Sequence, residues 1–234
     1  MEETVKIKRK RSKEEILEII VAIFLGITAL TTAWGSWIGS LHGGNQATNY
    51  TTSNNLAAEG NSMYNEAAQT LMQDMMLWNQ ISDVRIDYNF AKEKNETAEM
   101  EKAEWKLDQL MSDNCSEALT EAIQWADNQE EYASPFDKEG FVDSYFEAAL
   151  NKLGESNALL QQGEKDNNSE DSFGLVTVIY SVMLFLLGIV GTFKQLPNRF
   201  IIMGVAIFGF AAATIYMFTL PMPTGFDITS FFKG

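Results

Sequence analysis

The sequence predicts an all-α membrane protein: three transmembrane helices with an extracytoplasmic antiparallel helical bundle inserted between spans 1 and 2. Three apolar runs, residues 16–41, 173–193 and 200–220, predict the spans. Each is long enough to cross a bilayer of about 30 Å at about 1.5 Å per residue. The long segment between the first two runs is polar and lacks the β-branched alternation that is typical of strands. It is therefore predicted to be helical.

Charge is concentrated in that inserted segment. Residues 42–172 contain eight Lys or Arg and 26 Asp or Glu, a net charge of −18, against −15 for the whole chain of 234 residues. A domain with this charge is soluble and repels the phosphate backbone of nucleic acids. The composition therefore excludes nucleic acid as a partner.

Lys and Arg in the short flanks of the apolar runs predict the orientation. A basic tail, residues 1–15, holds six of them, and the loop 194–199 holds two. The opposite side has only two near membrane ends. The protein is therefore predicted to be a multi-pass cell-membrane protein with a cytoplasmic N-terminus and loop. The acidic domain, residues 42–172, and the C-terminal tail, residues 221–234, then lie outside the cell membrane.

The first apolar run, residues 16–41, is predicted to be a retained anchor. It follows basic residues, as a secretory signal does, but it is too long for the apolar region of a signal peptide. Trp34 and Trp37 near its end fit the aromatic belt of the outer interface, and Lys194 and Arg199 fit the cytoplasmic interface.

A row of small residues at every fourth position is the main packing feature of span 1. This spacing places them along one edge of a helix, and Gly35 and Gly39 form a GxxxG motif, which lets membrane helices approach closely. The row continues past the span, so one long helix is predicted to carry the edge outward. Whether this helix is unbroken at 42–46, and whether its partner belongs to the same chain or to another copy, stays open. The row consists of Thr31, Gly35, Gly39, Gly43, Ala47 and Thr51.

Four further small residues are predicted to pack helices together in spans 2 and 3. They are Gly188, Gly191, Gly209 and Ala213. The two spans, residues 173–193 and 200–220, are predicted to form a hairpin across Pro197.

The apolar spacing predicts four helices within residues 42–172. The first continues span 1 to about Phe90 and buries a seam along one side. The residues predicted for that seam are Tyr64, Ala68, Leu71, Met75 and Trp78, widened by Met63, Ala67 and Met72. A second helix covers 98–111. Whether residues 163–172 form a loop or continue a helix into span 2 stays open.

Capping patterns predict where the last two of these helices begin. Asn114 with Glu117 three residues later resembles a capping box for the third helix. Ser134 and Pro135 read as the N-cap and first residue of the fourth. The third helix is predicted to bury Leu119, Ala122, Ile123 and Ala126.

Loose motifs at both ends of the insertion point to a known family. Trp34, Trp37, Gln46 and Tyr50 precede an Ala-, Glu- and Asn-rich helix. The return side has a Ser-Pro-Phe start and a polar cluster that leads directly into span 2: Asn167, Asn168, Ser169 and Asp171. Over about residues 16–220 this layout resembles a family of uncharacterised prokaryotic three-span membrane proteins. The resemblance implies the same topology and helical insertion, and it implies no activity.

The residues give no arrangement typical of catalysis, so the protein is predicted not to be an enzyme, with no catalytic residues, no metal and no cofactor. His42 and Cys115 are the only His and Cys, which are too few ligands for zinc. His42 is predicted to be an interfacial polar residue. The central portions of the spans contain no Asp, Glu, Lys, Arg or His, which argues against an ion-coupled transporter.

Two function hypotheses remain, with a weaker third. The first is a non-enzymatic assembly or interaction protein that homo-oligomerises in the lipid bilayer and displays its acidic domain to an unidentified membrane or extracytoplasmic protein. The alternative is an oligomeric cation channel whose pore is lined by span 1. Its candidate pore-lining residues are Thr28, Thr31, Thr32 and Ser36. The third is an accessory subunit of a transporter or secretion complex.

Overall fold

The computed structural model describes residues 12–193 and 195–226, which form two compact units. The first unit comprises the described residues up to Thr51 and those from Leu159 onward, and the second is Thr52–Ala158. Most of the basic tail, the predicted interface residue Lys194 and the end of the C-terminal tail lie outside the described residues.

Every regular element among the described residues is a helix, which confirms the all-α fold class. The five α-helices are α1 (Lys13–Lys94), α2 (Thr97–Asn114), α3 (Glu117–Asp127), α4 (Phe141–Ile189) and α5 (Leu196–Met217). Short 3₁₀ turns cover Pro135–Asp137 and Val190–Thr192. Both junctions that the sequence left open, 42–46 and 163–172, are helical, because they lie inside α1 and α4.

Three helices, α1, α4 and α5, contain stretches that are long and apolar enough to cross a membrane. Only 11%, 33% and 17% of the residues in these stretches are buried inside the protein. Large apolar side chains are left exposed instead, among them Leu30, Phe185 and Phe208 at 73%, 65% and 76%. Apolar surface of this extent is costly in water, which is consistent with a membrane protein.

The core of the first unit is formed by residues of α1, α4 and α5. Ile38, Phe173 and Tyr180 are each at most 1% exposed, and Ala213 and Met217 of α5 pack with them. Inside this core, the Tyr180 hydroxyl lies 2.9 Å from Thr214 Oγ1, so the two hydroxyl groups form a hydrogen bond between α4 and α5.

The core of the second unit joins α1, α3 and the start of α4. It contains Trp78 and Ile81 with Phe141, and the four α3 residues predicted to be buried are all buried. The predicted seam of α1 is wrong in part, because Tyr64, Met72 and Met75 are 44%, 62% and 48% exposed. The reason is that a polar residue, Asp74, holds the buried position one turn before Trp78. Apolar spacing does not reveal such a position.

Helix starts differ from the predicted capping patterns. α3 begins after Ser116, whose hydroxyl accepts a hydrogen bond from the Leu119 amide, whereas Asn114 is the last residue of α2. The capping box predicted from Asn114 is therefore wrong. Ser134 does cap a helical segment, but that segment is a three-residue 3₁₀ turn. The long helix begins at Phe141, after Gly140 with φ +75°.

Candidate functional site

The glycines of the predicted row allow α1 to approach α4 of the same chain closely. A Cβ atom on Gly39 would lie 3.2 Å from Phe173 Cβ, and one on Gly43 would lie 2.7 Å from Glu170 Oε1. A Cβ on Gly35 would lie 3.3 Å from a methyl group of α4. The sequence alone did not identify the partner of this edge of α1. These contacts show that the partner is α4 of the same chain.

The other predicted packing residues are not all brought together. A Cβ on Gly209 of α5 would collide with Met183 of α4, and Ala213 is buried in the core. By contrast, a Cβ on Gly188 or Gly191 would meet no described atom within 4 Å, and Ala47 is exposed.

A second set of small residues on α1 faces away from the protein. They follow one another at spacings of four and three, which tracks one face of a helix of 3.6 residues per turn. All nine are exposed. We call this face the small stripe; it consists of Ala22, Gly26, Ala29, Ala33, Ser36, Ser40, Gly44, Ala47 and Thr51. The strict spacing of four used on the sequence found only its last members.

An open groove lies beside the small stripe, along the part of α1 that covers residues 35–46. Its volume is about 680 Å³. Ser36, Ser40 and Gly44 line it from α1, and Glu170 and Thr177 line it from α4. Groups that can form hydrogen bonds therefore line a groove beside a helix that elsewhere exposes large apolar side chains.

The candidate pore-lining residues do not share one surface. Thr28 is fully buried, and its Oγ1 has no hydrogen-bond partner among the described residues. The hydroxyls of Thr31 and Thr32 donate to the Thr28 carbonyl within α1, at 3.0 and 2.6 Å. Of the four residues, only Ser36 lines the groove.

The three predicted interface residues that the structure describes lie at two separate places. The rings of Trp34 and Trp37 meet edge to face at 5.3 Å, and Phe226 packs on both. Arg199 is only 9% exposed, and its guanidinium lies 3.6 Å from Glu18 Oε1, across from α5 to α1.

His42 and Asp166 form a buried pair that the sequence did not predict. Each is 2% exposed, and His42 Nδ1 lies 2.9 Å from Asp166 Oδ1. The other ring nitrogen, Nε2, lies 3.1 Å from the Pro221 carbonyl oxygen. The ring stacks on Phe173 with 5.8 Å between centroids. One side chain of α1 thereby contacts α4 and the segment after α5.

Further polar side chains complete the surroundings of Asp166. Asn49 Nδ2 and Gln162 Nε2 donate to its Oδ2 at 3.2 and 3.4 Å. Beside the pair lies a cavity of about 360 Å³, lined partly by Lys165 and Met222. His42 and Asp166 are 124 positions apart, so no local spacing could have joined them. The signal that the sequence offers is the polar cluster directly ahead of span 2, which adjoins Asp166.

A smaller polar cluster lies in the second unit. The Tyr145 hydroxyl donates to Asp74 Oδ2 at 2.5 Å. Burial, followed by this hydrogen bond and the charge of Asp74, raises the pKa of Tyr145. Burial, with a smaller effect of Asp74, also raises the pKa of the Cys115 thiol. Within residues 12–193 and 195–226, no three His, Cys, Asp or Glu side chains are grouped to hold a metal ion.

Fold and site together define an all-helical protein with three helices long and apolar enough to cross a membrane and a buried His–Asp pair. Comparison with protein families, with characterised proteins and with solved structures finds no match. The function is therefore argued from the geometry alone.

Proposed function

We propose that this protein is a non-enzymatic membrane assembly protein whose copies associate through the small stripe of α1. The observation that carries the proposal is the exposure of all nine stripe residues. Small residues at helical spacing let two membrane helices approach backbone to backbone. The edge with Gly35, Gly39 and Gly43 is covered by α4, so the small stripe is the face of α1 that remains for another helix.

A second copy suits this face better than lipid does. Elsewhere α1 exposes large side chains, such as Ile23 and Leu30 at 55% and 73%, and these contact lipid favourably. The small stripe instead offers backbone, methyl groups and the hydroxyls of Ser36 and Ser40. Because the same face is present on every copy, two copies can pack it symmetrically.

We place the second unit outside the membrane as the part that meets other proteins. Thr52–Ala158 contains 22 Asp and Glu against seven Lys and Arg, and the positive-inside rule applied to the flanks supports this orientation. On α1, Met72, Met76, Ile86 and Phe90 are each at least 59% exposed and fall on one side, with Asp83 among them. An apolar face that carries carboxylates suits a partner segment with apolar and basic side chains.

The association is tested by adding bulk to the small stripe. A Cβ atom on Gly26 or Gly44 of the stripe, or on Gly188 away from it, would have no atom of a neighbouring element within 4 Å, so a leucine side chain at each of them starts in open space. We expect the protein in lipid nanodiscs to give a discrete oligomer by light scattering. Gly26→Leu and Gly44→Leu should give monomers, and Gly188→Leu should leave the oligomer unchanged.

Two results would contradict the proposal. One is a wild-type protein that is monomeric at every lipid-to-protein ratio. The other is an oligomer that survives both stripe substitutions, because that oligomer would use a different face.

A second candidate function, a cation channel, is favoured by the polar lining of the groove. If several copies assemble around a common axis with their small stripes facing it, Ser36, Ser40 and Glu170 border the space between the copies. Purified protein in liposomes should then conduct cations, and Glu170→Gln should reduce the preference for cations over anions. If the oligomer is verified in the same liposomes and no ion flux is seen at any voltage, the channel function is contradicted and only the assembly function remains.

A further inference from the structure

We infer that His42 and Asp166 form a proton-dependent latch that holds the C-terminal segment, residues 221–226, against α1 and α4. The inference rests on what the two ring nitrogens face. Nδ1 faces a carboxylate oxygen of Asp166 and Nε2 faces the backbone carbonyl of Pro221. An ionised carboxylate and a carbonyl only accept hydrogen bonds.

The geometry therefore requires one proton more than a neutral His42 ring and an ionised Asp166 carboxylate contain together. A neutral imidazole has one N–H and can donate to one of the two acceptors. Both contacts are made only if the ring is an imidazolium or if Asp166 is protonated and donates to Nδ1. The two forms contain the same number of protons. The described arrangement thus stores one proton in a site that is 2% exposed.

Loss of this proton breaks one contact of the pair. If Nε2 keeps its hydrogen, Nδ1 and the Asp166 carboxylate face each other with no hydrogen between them. If Nδ1 keeps it, the Pro221 carbonyl faces the lone pair of Nε2. In either state two acceptors face each other with no hydrogen between them beside the His42 ring, which is 2% exposed, and this favours opening of the site to water. Raising the pH therefore weakens the attachment of the C-terminal segment.

The other charged groups near the pair do not substitute for this proton. On α4, Lys165 lines the neighbouring cavity and Glu170 faces Gly43. On α1 the sequence has no Asp, Glu, Lys or Arg between Glu18 and Glu59. Described residues 221–226 have no ionisable side chain. Residues of α1 make further contacts with this segment. The Asn45 amide donates to the Thr224 carbonyl at 3.2 Å, and Trp34 and Trp37 pack on Phe226. None of these groups changes its charge with pH.

The first experiment reads the proton directly. His42 is the only histidine of the chain, so ¹⁵N-histidine labelling of the full protein in nanodiscs gives ring signals of this residue alone. We expect either two protonated ring nitrogens, or one protonated nitrogen together with a protonated Asp166 carboxyl seen by ¹³C. A neutral ring beside an ionised Asp166, across the range from about pH 5 to about pH 9, would overturn the inference.

The second experiment measures how firmly the C-terminal segment is held. Asp166→Asn keeps the shape of the side chain, and its amide can donate to Nδ1 while Nε2–H donates to Pro221, so no extra proton is needed. Hydrogen exchange of the amides of residues 224–226 should accelerate with pH in the wild type beyond its intrinsic pH dependence. At about pH 9 it should be about tenfold slower in Asp166→Asn than in the wild type.

The matched control is Asp171→Asn, which removes the same charge from an exposed position five residues further along α4. It should exchange as the wild type does at every pH. Equal exchange in wild type and Asp166→Asn across the whole pH range, with both proteins folded, would show that the pair does not control the segment.

Discussion

Asp74 is a buried carboxylate, 7% exposed, that contacts one hydroxyl group. The donor is Tyr145, 2.5 Å from Oδ2, and the two residues lie on α1 and α4 within the second unit. A buried carboxylate that loses its donor costs free energy, because the protein does not replace the lost hydration. The pair therefore contributes to stability through the protonated state of Tyr145.

We predict that Tyr145→Phe lowers the free energy of unfolding at neutral pH by about 1 to 3 kcal/mol. The pKa of Tyr145 is raised above its ordinary value of 10.0 in the folded protein, so the unfolded chain releases this proton first as the pH rises. The stability from this group is complete below about pH 10 and decreases above it. Wild type should therefore lose stability more steeply than Tyr145→Phe as the pH rises above about pH 10.

The comparison requires thermal or denaturant unfolding of both proteins at each pH, followed by circular dichroism. Tyr132→Phe serves as the control, since Tyr132 is 89% exposed. Parallel pH profiles for wild type and Tyr145→Phe would show that this hydroxyl contributes nothing to the alkaline loss.

At the scale of elements, α1 is defined by two small-residue faces with different surroundings. One edge contacts α4 through Gly35, Gly39 and Gly43, and the small stripe is exposed. The sequence predicted the long helix correctly. It could not separate the two faces, because residues at strict spacing of four drift around a helix of 3.6 residues per turn.

The two faces make opposite predictions for similar substitutions. A Cβ on Gly39 would already lie 3.2 Å from Phe173 Cβ, so Gly39→Leu should separate α1 from α4 and cost about 1 to 3 kcal/mol or more. Gly44→Leu, with open space around its Cβ, should not lower the melting temperature of the monomer. Melting of both variants in a detergent that keeps them monomeric measures this. Equal destabilisation by both would contradict the assignment of faces.

Helix ends show what a single sequence leaves undetermined. Asn114 and Ser116 are both good N-cap residues, and the choice between them depends on where α2 ends. The structure extends α2 to Asn114, so only Ser116 is free to cap α3. In contrast, the buried face of α3 was predicted in full, because its four apolar residues at helical spacing define a single apolar face.

At the scale of the molecule, composition predicted the class of protein, and long-range pairing supplied the site. Three apolar stretches and an acidic insertion are local properties, readable without knowing any contact. The pairs His42–Asp166 and Asp74–Tyr145 join residues 124 and 71 positions apart, and each partner looks like an ordinary polar residue of its own segment. Only the packing of the helices brings these groups together.

Orientation across the membrane is the remaining whole-molecule prediction, and it follows from the Lys and Arg of the flanks. In a Cys115→Ser background, single cysteines are placed at two exposed positions, Ser12→Cys before α1 and Tyr132→Cys in the second unit. A membrane-impermeant maleimide should label Tyr132→Cys in intact cells and Ser12→Cys only after permeabilisation. The parent without cysteine controls for background. The reverse pattern would place the acidic unit in the cytoplasm and would contradict the predicted orientation.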